Sequence, residues 1–399
     1  MAASIGSDAS GRIRVAVAAM SARMMAESVA RGGGAVVALD LFGDGDTRAA
    51  AEAWHGIGSA GALRFDDAAF LDALALLARQ NDVAGWVAGS GFEARPDLIA
   101  RGASVLPLFG NAPELVRRVR TPGWFYPWLA ARQVPHAEVS ISRPAQPEGW
   151  LAKDARACGG WHVRPAAAAG PACGVGRYFQ RRIEGMPLSV LFLADGRDWR
   201  IAGIARQIVR PLGGHAFVYR GGVGPVGLPP PAQEALAAML DRVVPGLGLI
   251  GLNGIDFVLR AGEPVLIELN PRPTASVALF DRCVNGGLML AHVAVCRGTA
   301  PGELAFVPSR GVCGSEVVFA RRAGRVDAAC SAWMAGRGWC RDLPAAGTPH
   351  GSGDPVCSVS ADGECVEEVE HLLAGRRREV LDRLAEVAPS RRCGPEGTD

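Results

Sequence analysis

The chain has 399 residues, enough for two or three domains at roughly 150 residues each. With 49% of its residues hydrophobic and 21% charged, it sits among ordinary globular proteins, which excludes disorder as its main state. Its 42 basic and 40 acidic residues leave a net charge of +2 and no aromatic-basic cluster, which excludes nucleic acid as an expected partner.

Ile13–Ala19 reads as a buried strand, Ser21–Arg31 as a helix stopped by Gly32-Gly33-Gly34, and Ala35–Phe42 as a second strand running into the acidic loop Asp40–Asp46. A helix over Asp67–Arg79, a strand over Val83–Ala88, a short helix over Pro96–Arg101 and a strand over Val105–Phe109 follow. This alternation predicts a doubly wound, mostly parallel sheet of about a hundred residues. Asp40 ends the second strand where a ribose-binding acid would lie, but the first turn is Ala19-Met20-Ser21-Ala22-Arg23 with no GxGxxG, which argues against NAD or FAD. Gly89-Ser90-Gly91-Phe92-Glu93 lies at the strand edge where open α/β sheets take ligands, so Ser90 and Glu93 are candidate substrate contacts; a plain tight turn is the other reading. A helix over Gly123–Arg132 ends before Val134-Pro135, and the Pro-rich stretch Ser142–Glu148 marks a boundary.

Trp150–Lys153 reads as a short strand entering a loop with Gly159 and Gly160. Lys153 is the single lysine of the chain, the other 41 basic residues being arginine. A preference for arginine explains the surface but not the exception, which suits a place that needs a compact ammonium. A lysine beside a glycine loop fits polyphosphate, a point charge for one phosphate and bare N–H groups for another. Arg177–Gly185 then leads into a strand over Leu188–Ala194 and a turn at Asp195-Gly196, and Gly213–Gly224 reads as a glycine-rich loop carrying Tyr219 and Arg220. Farther on, Asp256 sits in an apolar strand, and after a turn at Ala261-Gly262-Glu263 comes Pro264–Arg272 with Glu268 and Asn270 on one face. Carboxylates and an amide in apolar surroundings favour a cation, and oxygen ligands of this kind suit Mg²⁺ held together with phosphates. The C-terminal hundred residues read as a β-rich lobe closed by a helix over Val366–Ala388, acidic early and arginine-rich late.

No apolar run reaches the ~18 residues of a membrane span; Gly286–Cys296 comes nearest and His292 interrupts it. The N-terminal residues show neither a positive lead nor a long apolar core, so no secretory signal is read and a cytoplasmic location is expected. Ten cysteines without a CxxC and seven histidines without an HExxH suggest reduced thiols and neither a zinc site nor a disulfide framework.

The order Lys153, Gly159-Gly160, Gln180–Gly185, Asp256 and Glu268-Leu269-Asn270-Pro271-Arg272 resembles the ATP-grasp family, the carboxylate–amine ligases and biotin-carboxylase-type enzymes, over most of the chain. The resemblance implies a Rossmann-like domain over 12–116, a two-lobed ATP-grasp domain over 117–300 and the β-rich C-terminal lobe over 301–399. It implies that Lys153 meets the ATP phosphates with Gly159 and Gly160. The backbone of Phe179, Gln180, Arg181 and Ile183 would form the adenine hinge, Asp256, Glu268 and Asn270 would hold Mg²⁺ (or Mn²⁺), and Arg272 would stand near the reacting phosphate. Two positions depart from the family pattern. The first phosphate lysine is missing, Arg120 being the nearest stand-in, and so is the ribose acid, leaving Glu184 or Ser189 to serve. More narrowly, Gly89–Glu93 and Phe217–Gly221 are similar to a carboligase-like branch associated with tetrahydromethanopterin- and methanofuran-type C1 carriers.

The implied activity is ATP-dependent ligation: a carboxylate becomes an acyl phosphate and is joined to an amine, with Tyr219 and Arg220 on the acid substrate. Small-molecule acid and amine substrates are the expected partners, a homodimer is compatible, and neither nucleic acid nor a membrane is involved. A bicarbonate-using carboxylase and a non-catalytic nucleotide-binding protein are the alternatives.

Overall fold

The computed structural model describes residues 11–169 and 176–386. Its first domain is built from β1 (Arg14–Ala18), α1 (Arg23–Arg31), β2 (Ala35–Asp40), α2 (Gly45–Ala50), β3 (Ala53–Gly56), α3 (Asp67–Gln80), β4 (Trp86–Ala88) and α4 (Pro96–Ala103). The four strands are parallel in the order β3-β2-β1-β4. β2 is buried along its whole length, as its Ala-Val-Val-Ala-Leu run requires of a strand covered on both faces. Strand order reverses direction between β1 and β4, so the loop after β4, Gly89–Glu93, opens into the crevice where such sheets bind ligands.

One expectation is corrected here. Val105–Phe109 is not a strand: Leu108 alone bridges to Trp86, because Pro107 has no N–H to continue the ladder. Asp40, fully buried, accepts from the N–H groups of Ala22, Phe42 and Gly43 and from Trp54 Nε1, so it pins β2 to its neighbouring turns.

Two helices, α5 (Pro113–Val119) and α6 (Pro122–Ala131), lead into a small antiparallel sheet of β5 (Val139–Ser140), β6 (Trp150–Asp154), β7 (Arg164–Pro165) and β8 (Arg177–Arg181), in the order β5-β8-β6-β7. Eight further strands are β9 (Met186–Asp195), β10 (Trp199–Leu212), β11 (His215–Gly224), β12 (Ile250–Arg260), β13 (Glu263–Asn270), β14 (Val312–Phe319), β15 (Cys340–Arg341) and β16 (Pro355–Gly363). They form one eight-stranded antiparallel sheet in the order β13-β12-β9-β10-β11-β14-β16-β15, so strands of the C-terminal hundred residues extend the central sheet. The helices α7 (Pro230–Leu247), α8 (Leu288–Cys296) and α9 (Val366–Glu386) complete these layers; the last two residues of the closing helix expected from sequence lie outside the described residues. Among the described residues no helix is long and apolar enough to cross a membrane, and the eight described cysteines are free.

The first domain and the central sheet share a core: Met25 and Val29 of α1 belong to the same apolar cluster as Leu191, Leu252, Leu288 and Met289. Packing of this kind fixes the crevice beside β4 against the strands β12 and β13.

Gly213–Gly224, expected as a glycine-rich loop, is mostly β11. Its glycines permit close approach rather than mobility. A Cβ on Gly221 (φ +151°) would fall 1.8 Å from the carbonyl oxygen of Ser315 in β14.

Candidate active site

The chemistry gathers where β12 and β13 face the small sheet. In the antiparallel register Asp256 lies opposite Glu268 and Gly254 opposite Asn270, with an irregularity just after Asp256. Asn270 Nδ2 donates to Asp256 Oδ2 at 3.2 Å, and Gln207 Nε2, from β10, donates to Oδ1 at 2.8 Å. Withdrawal from water and the neighbouring Glu268 push the Asp256 carboxyl up to about 7. Glu268 goes the other way: burial would raise it, but the Arg120 guanidinium, bonded to its Oε1, and the Lys153 ammonium hold it at about 2. One carboxyl is thus poised near neutrality and the other firmly ionised.

Lys153, 7% exposed, reaches into this group from the end of β6. Its Nζ donates to Gln180 Oε1 at 3.1 Å, while Gln180 Nε2 donates to the Tyr126 hydroxyl and to the Ile267 carbonyl, each at 3.0 Å. β8 pairs Tyr178 with Lys153 and Gln180 with Leu151, so side chains of one strand parity meet on one face. Gln180 therefore acts through its side chain, as the holder of Lys153, a role its expected place in a hinge backbone did not show. The backbones of Phe179, Gln180 and Arg181 lie within the sheet ladder, Phe179 is buried against Trp150 and Ala166, and Arg181 N donates to Glu138 O at 2.8 Å. Ile183 and Glu184 lie beyond the strand end.

Gly159 and Gly160 carry positive φ (+70° and +77°), and their loop is pressed onto β11. Tyr219 N donates to Gly159 O at 3.0 Å, and a Cβ on Gly160 would come within 1.9 Å of Phe217 O. Trp161 anchors the same loop edge-on against His215 and Phe319, at ring separations of 5.2 and 5.5 Å. The fold so turns Cys158 and His162 toward the charged group. Burial, and then the Glu93 carboxylate, push the Cys158 thiol up to about 11; burial and Lys153 push His162 down to about 4, and its Nδ1 is buried without a hydrogen-bond partner. His162, Arg120, Tyr126, Asp154, Tyr178 and Glu268 line a common cleft.

A second charged pair closes the site toward the first domain. Glu93, 3% exposed, accepts from Arg272 at 2.6 Å and from Gly91 N at 2.6 Å, and Arg120 lies 3.3 Å from it. Burial alone would raise the Glu93 carboxyl, but Arg272 and Arg120 hold it below the usual range. Glu93 thus binds the chain's own cations, Arg272 and Arg120. Ser90 accepts from Met20 N through its carbonyl at 2.9 Å, and Phe92 is fully buried among Phe65, Phe70 and Trp86. Tyr219 stands near Asp256, its hydroxyl pushed up by burial and by that carboxylate. Arg220, next along β11, is turned away: its guanidinium donates to Pro211 O at 2.7 Å and feels Glu316 and Arg377 instead. It is not among the side chains the fold brings together.

Sequence reading missed Gln207, Tyr126, Cys158 and His162. Gln207 joins the site only through the register of β10 and β9 with β12, which no local pattern encodes; His162 had one signal, its place two residues after the glycine pair.

Residues 124–276 match the model of the ATP-grasp domain family. The chain is 25% identical over 114 residues to the carbamoyl phosphate synthase large chain of Pseudomonas syringae pv. tomato, a stretch that is 29% of this chain and 10% of that protein. It is 27% identical over 108 residues to the same-named chain of Thermoplasma volcanium, 27% of this chain and again 10% of the other. The aligned stretch thus spans about a tenth of the length of these curated relatives. Among solved structures, the biotin carboxylase domain of the Hydrogenobacter thermophilus 2-oxoglutarate carboxylase superposes with a TM-score of 0.65 at 12% identity, covering 92% of this chain and 89% of that one. L-amino acid ligase from Bacillus licheniformis gives 0.63 at 16% identity, with 93% and 97% covered. N5-carboxyaminoimidazole ribonucleotide synthetase from Thermus thermophilus gives 0.64 at 16%, with 95% and 99% covered. At these identities the superpositions establish the fold across more than nine-tenths of the chain: a parallel N-terminal sheet followed by antiparallel sheets.

Proposed function

We propose that this chain, which carries an ATP-grasp domain, is an ATP-dependent ligase that activates a carboxylate as an acyl phosphate and transfers it to an amine. The observation that carries the reading is the convergence of Lys153, Arg120 and Arg272 on the facing carboxylates Asp256 and Glu268. Three cations around a small oxygen-ligand group suit a triphosphate, whose transfer is accelerated chiefly by positioning and charge neutralisation. Lys153, held by Gln180, would bind phosphate with the glycine loop above it, and Ile183 and Glu184 are the hinge residues left for the adenosine end.

Asp256, Glu268 and Asn270 fit Mg²⁺. They are hard oxygen donors on facing strands, and among the described residues no group of three or more His, Cys, Asp and Glu forms a metal cage, in keeping with an ion bound by one or two carboxylates together with phosphates. When bound, the ion would neutralise charge on the phosphate oxygens. Asp256, poised at about 7, ionises readily beside a cation, and Gln207 and Asn270 orient it.

The acid and amine would meet in a second cleft, between the first domain and the central sheet, lined by Gly89, Glu93, Asn111, Arg272 and His292 among others. Arg272 borders both this cleft and the charged group, which is where an acyl phosphate would have to form. The narrower likeness to C1-carrier enzymes, drawn from Gly89–Glu93 and Phe217–Gly221, does not identify the acid. Fold similarity to carboxylase domains keeps bicarbonate as a second reading. The test is ADP release over a panel of acid and amine pairs, glutamate first, in bicarbonate-free buffer. Release that needs both an acid and an amine supports ligation; a strict bicarbonate requirement with labelled carbon in the product replaces it with carboxylation.

A further inference from the structure

Arg120 follows α5 at the turn into α6, and its side chain is only 10% exposed. It is bonded to Glu268 and lies 3.3 Å from Glu93, which in turn holds Arg272 at 2.6 Å. The chain's own donors therefore meet each of the three groups offered for a metal: Arg120 takes Glu268 Oε1, Gln207 and Asn270 take Asp256, and Arg272 lies 3.4 Å from Asn270 Oδ1. The Arg120 guanidinium on Glu268 Oε1 repels a divalent cation that approaches either oxygen of that carboxylate. Burial of the ion pair makes the conflict costly, because a cation that displaces Arg120 leaves its guanidinium with only Glu93, already shared with Arg272, as counter-ion. A phosphate oxygen would supply a second counter-ion, and the planar fork of arginine suits it. Arg120 Nε is buried without a hydrogen-bond partner, so the group has an unused donor for a second acceptor.

We infer that Arg120 is a gate on the metal site: its pair with Glu268 excludes the free divalent ion, and nucleotide phosphate draws Arg120 away, so that metal and nucleotide load together. The inference rests on the ligase reading above and adds an order of binding to it. Arg120 here is a positioning residue for Glu268, and its guanidinium spans Glu93 and Glu268 at once, which a single ammonium cannot.

The test is Mn²⁺ binding, followed by the paramagnetic resonance of the free ion, in the full chain with and without ADP. Wild type should bind Mn²⁺ weakly alone and much more tightly with ADP. Arg120→Met should bind free Mn²⁺ at least ~10-fold more tightly than wild type, the size expected when a partner of a ligand is changed, while its response to ADP shrinks. Adding Glu268→Gln to Arg120→Met should abolish the gain, which assigns the ion to Glu268. Arg120→Lys, whose single ammonium cannot span Glu93 and Glu268 at once, should gain free-ion affinity part of the way to the methionine variant, and serves if that variant folds poorly. If wild type binds Mn²⁺ with ADP but the methionine variant gains no affinity for the free ion, the gate is wrong and the ligase reading stands. If wild type binds neither ADP nor Mn²⁺ under any condition, both fail.

Discussion

Glu93 of the first domain and Arg272 of the loop after β13 form a buried ion pair at 2.6 Å, 179 residues apart in sequence. Through Glu93 the ligand crevice of the parallel sheet is tied to the charged group of the central sheet, with Arg120 as the third member. A carboxylate shared by two guanidinium groups is the electrostatic hinge pin between these regions.

Replacing that carboxylate with an amide, Glu93→Gln, keeps the shape but leaves two cations underpaired, and should cost about 3 kcal/mol. Because Glu93 is held below its usual value of 4.5, its contribution is complete above that pH and is lost as pH falls through the lower folded value. Thermal unfolding of wild type and variant should therefore differ by several degrees at pH 7 and converge in acid. A pH-independent difference would show that the charge is not what matters.

Lys153 meets Gln180 through one hydrogen bond and otherwise points into the charged group. Lys153→Met should weaken ADP binding about 10- to 100-fold, the worth of a charge-assisted bond, with little change in Tm. Lys153→Arg should fail similarly, since a guanidinium does not fit between Gln180 and Tyr178. Gln180→Leu should show a milder loss, confined to nucleotide affinity. Equilibrium titration with a fluorescent ADP analogue reads all three, and unchanged affinity in the methionine variant removes Lys153 from the phosphate site.

The Asp256 carboxyl is pushed up to about 7, above its ordinary 3.8, so its cost to the fold grows as pH rises from about 4 through 7. Asp256→Asn removes that cost. The variant should unfold at a higher temperature than wild type at pH 8.5, with the gap closing near pH 4, yet should lose at least ~10-fold in Mn²⁺ affinity measured with ADP. Equal destabilisation at every pH would instead mark Asp256 as a structural residue.

Gly160 combines φ +77° with a backbone contact that a Cβ would bring to 1.9 Å. Gly160→Ala should lift the loop from β11, at a cost of about 1–2 kcal/mol for the left-handed conformation alone. Faster deuterium exchange at Tyr219 N, whose acceptor is Gly159 O, is the direct readout; unchanged exchange there would mean that the loop is held by Trp161 instead.

Cys158 sits in the same loop with its thiol pushed up to about 11. Only the thiolate alkylates, so its reaction with iodoacetamide should still be accelerating at pH 10, and a glycine-loop ligand such as ADP should slow it. Peptide mass spectrometry follows the residue individually. A rate that levels off below pH 9 would place the thiol outside this electrostatic environment.

Much of this was written in local sequence. Short-range periodicity and glycine stops outlined β1, α1, β2, α3 and β4, because each buries a stripe or a face whose spacing is set by the element's own geometry. The lone lysine and the alternation of Glu268 with Asn270 pointed to the charged group for a similar reason: a single strand fixes which of its residues share a face. What only the tertiary structure decided was pairing. The strand character of Gly213–Gly224 depended on β14 closing against Gly221, and the turn of Arg220 away from Tyr219's neighbours followed from it. The binding of Arg120 to Glu268 joins residues 148 apart, and that of Gln207 to Asp256 joins residues 49 apart. Strand register and ion-pair choice are settled by which buried charges and surfaces must satisfy one another across the fold, and that balance is a property of the packed chain, absent from any short segment of it.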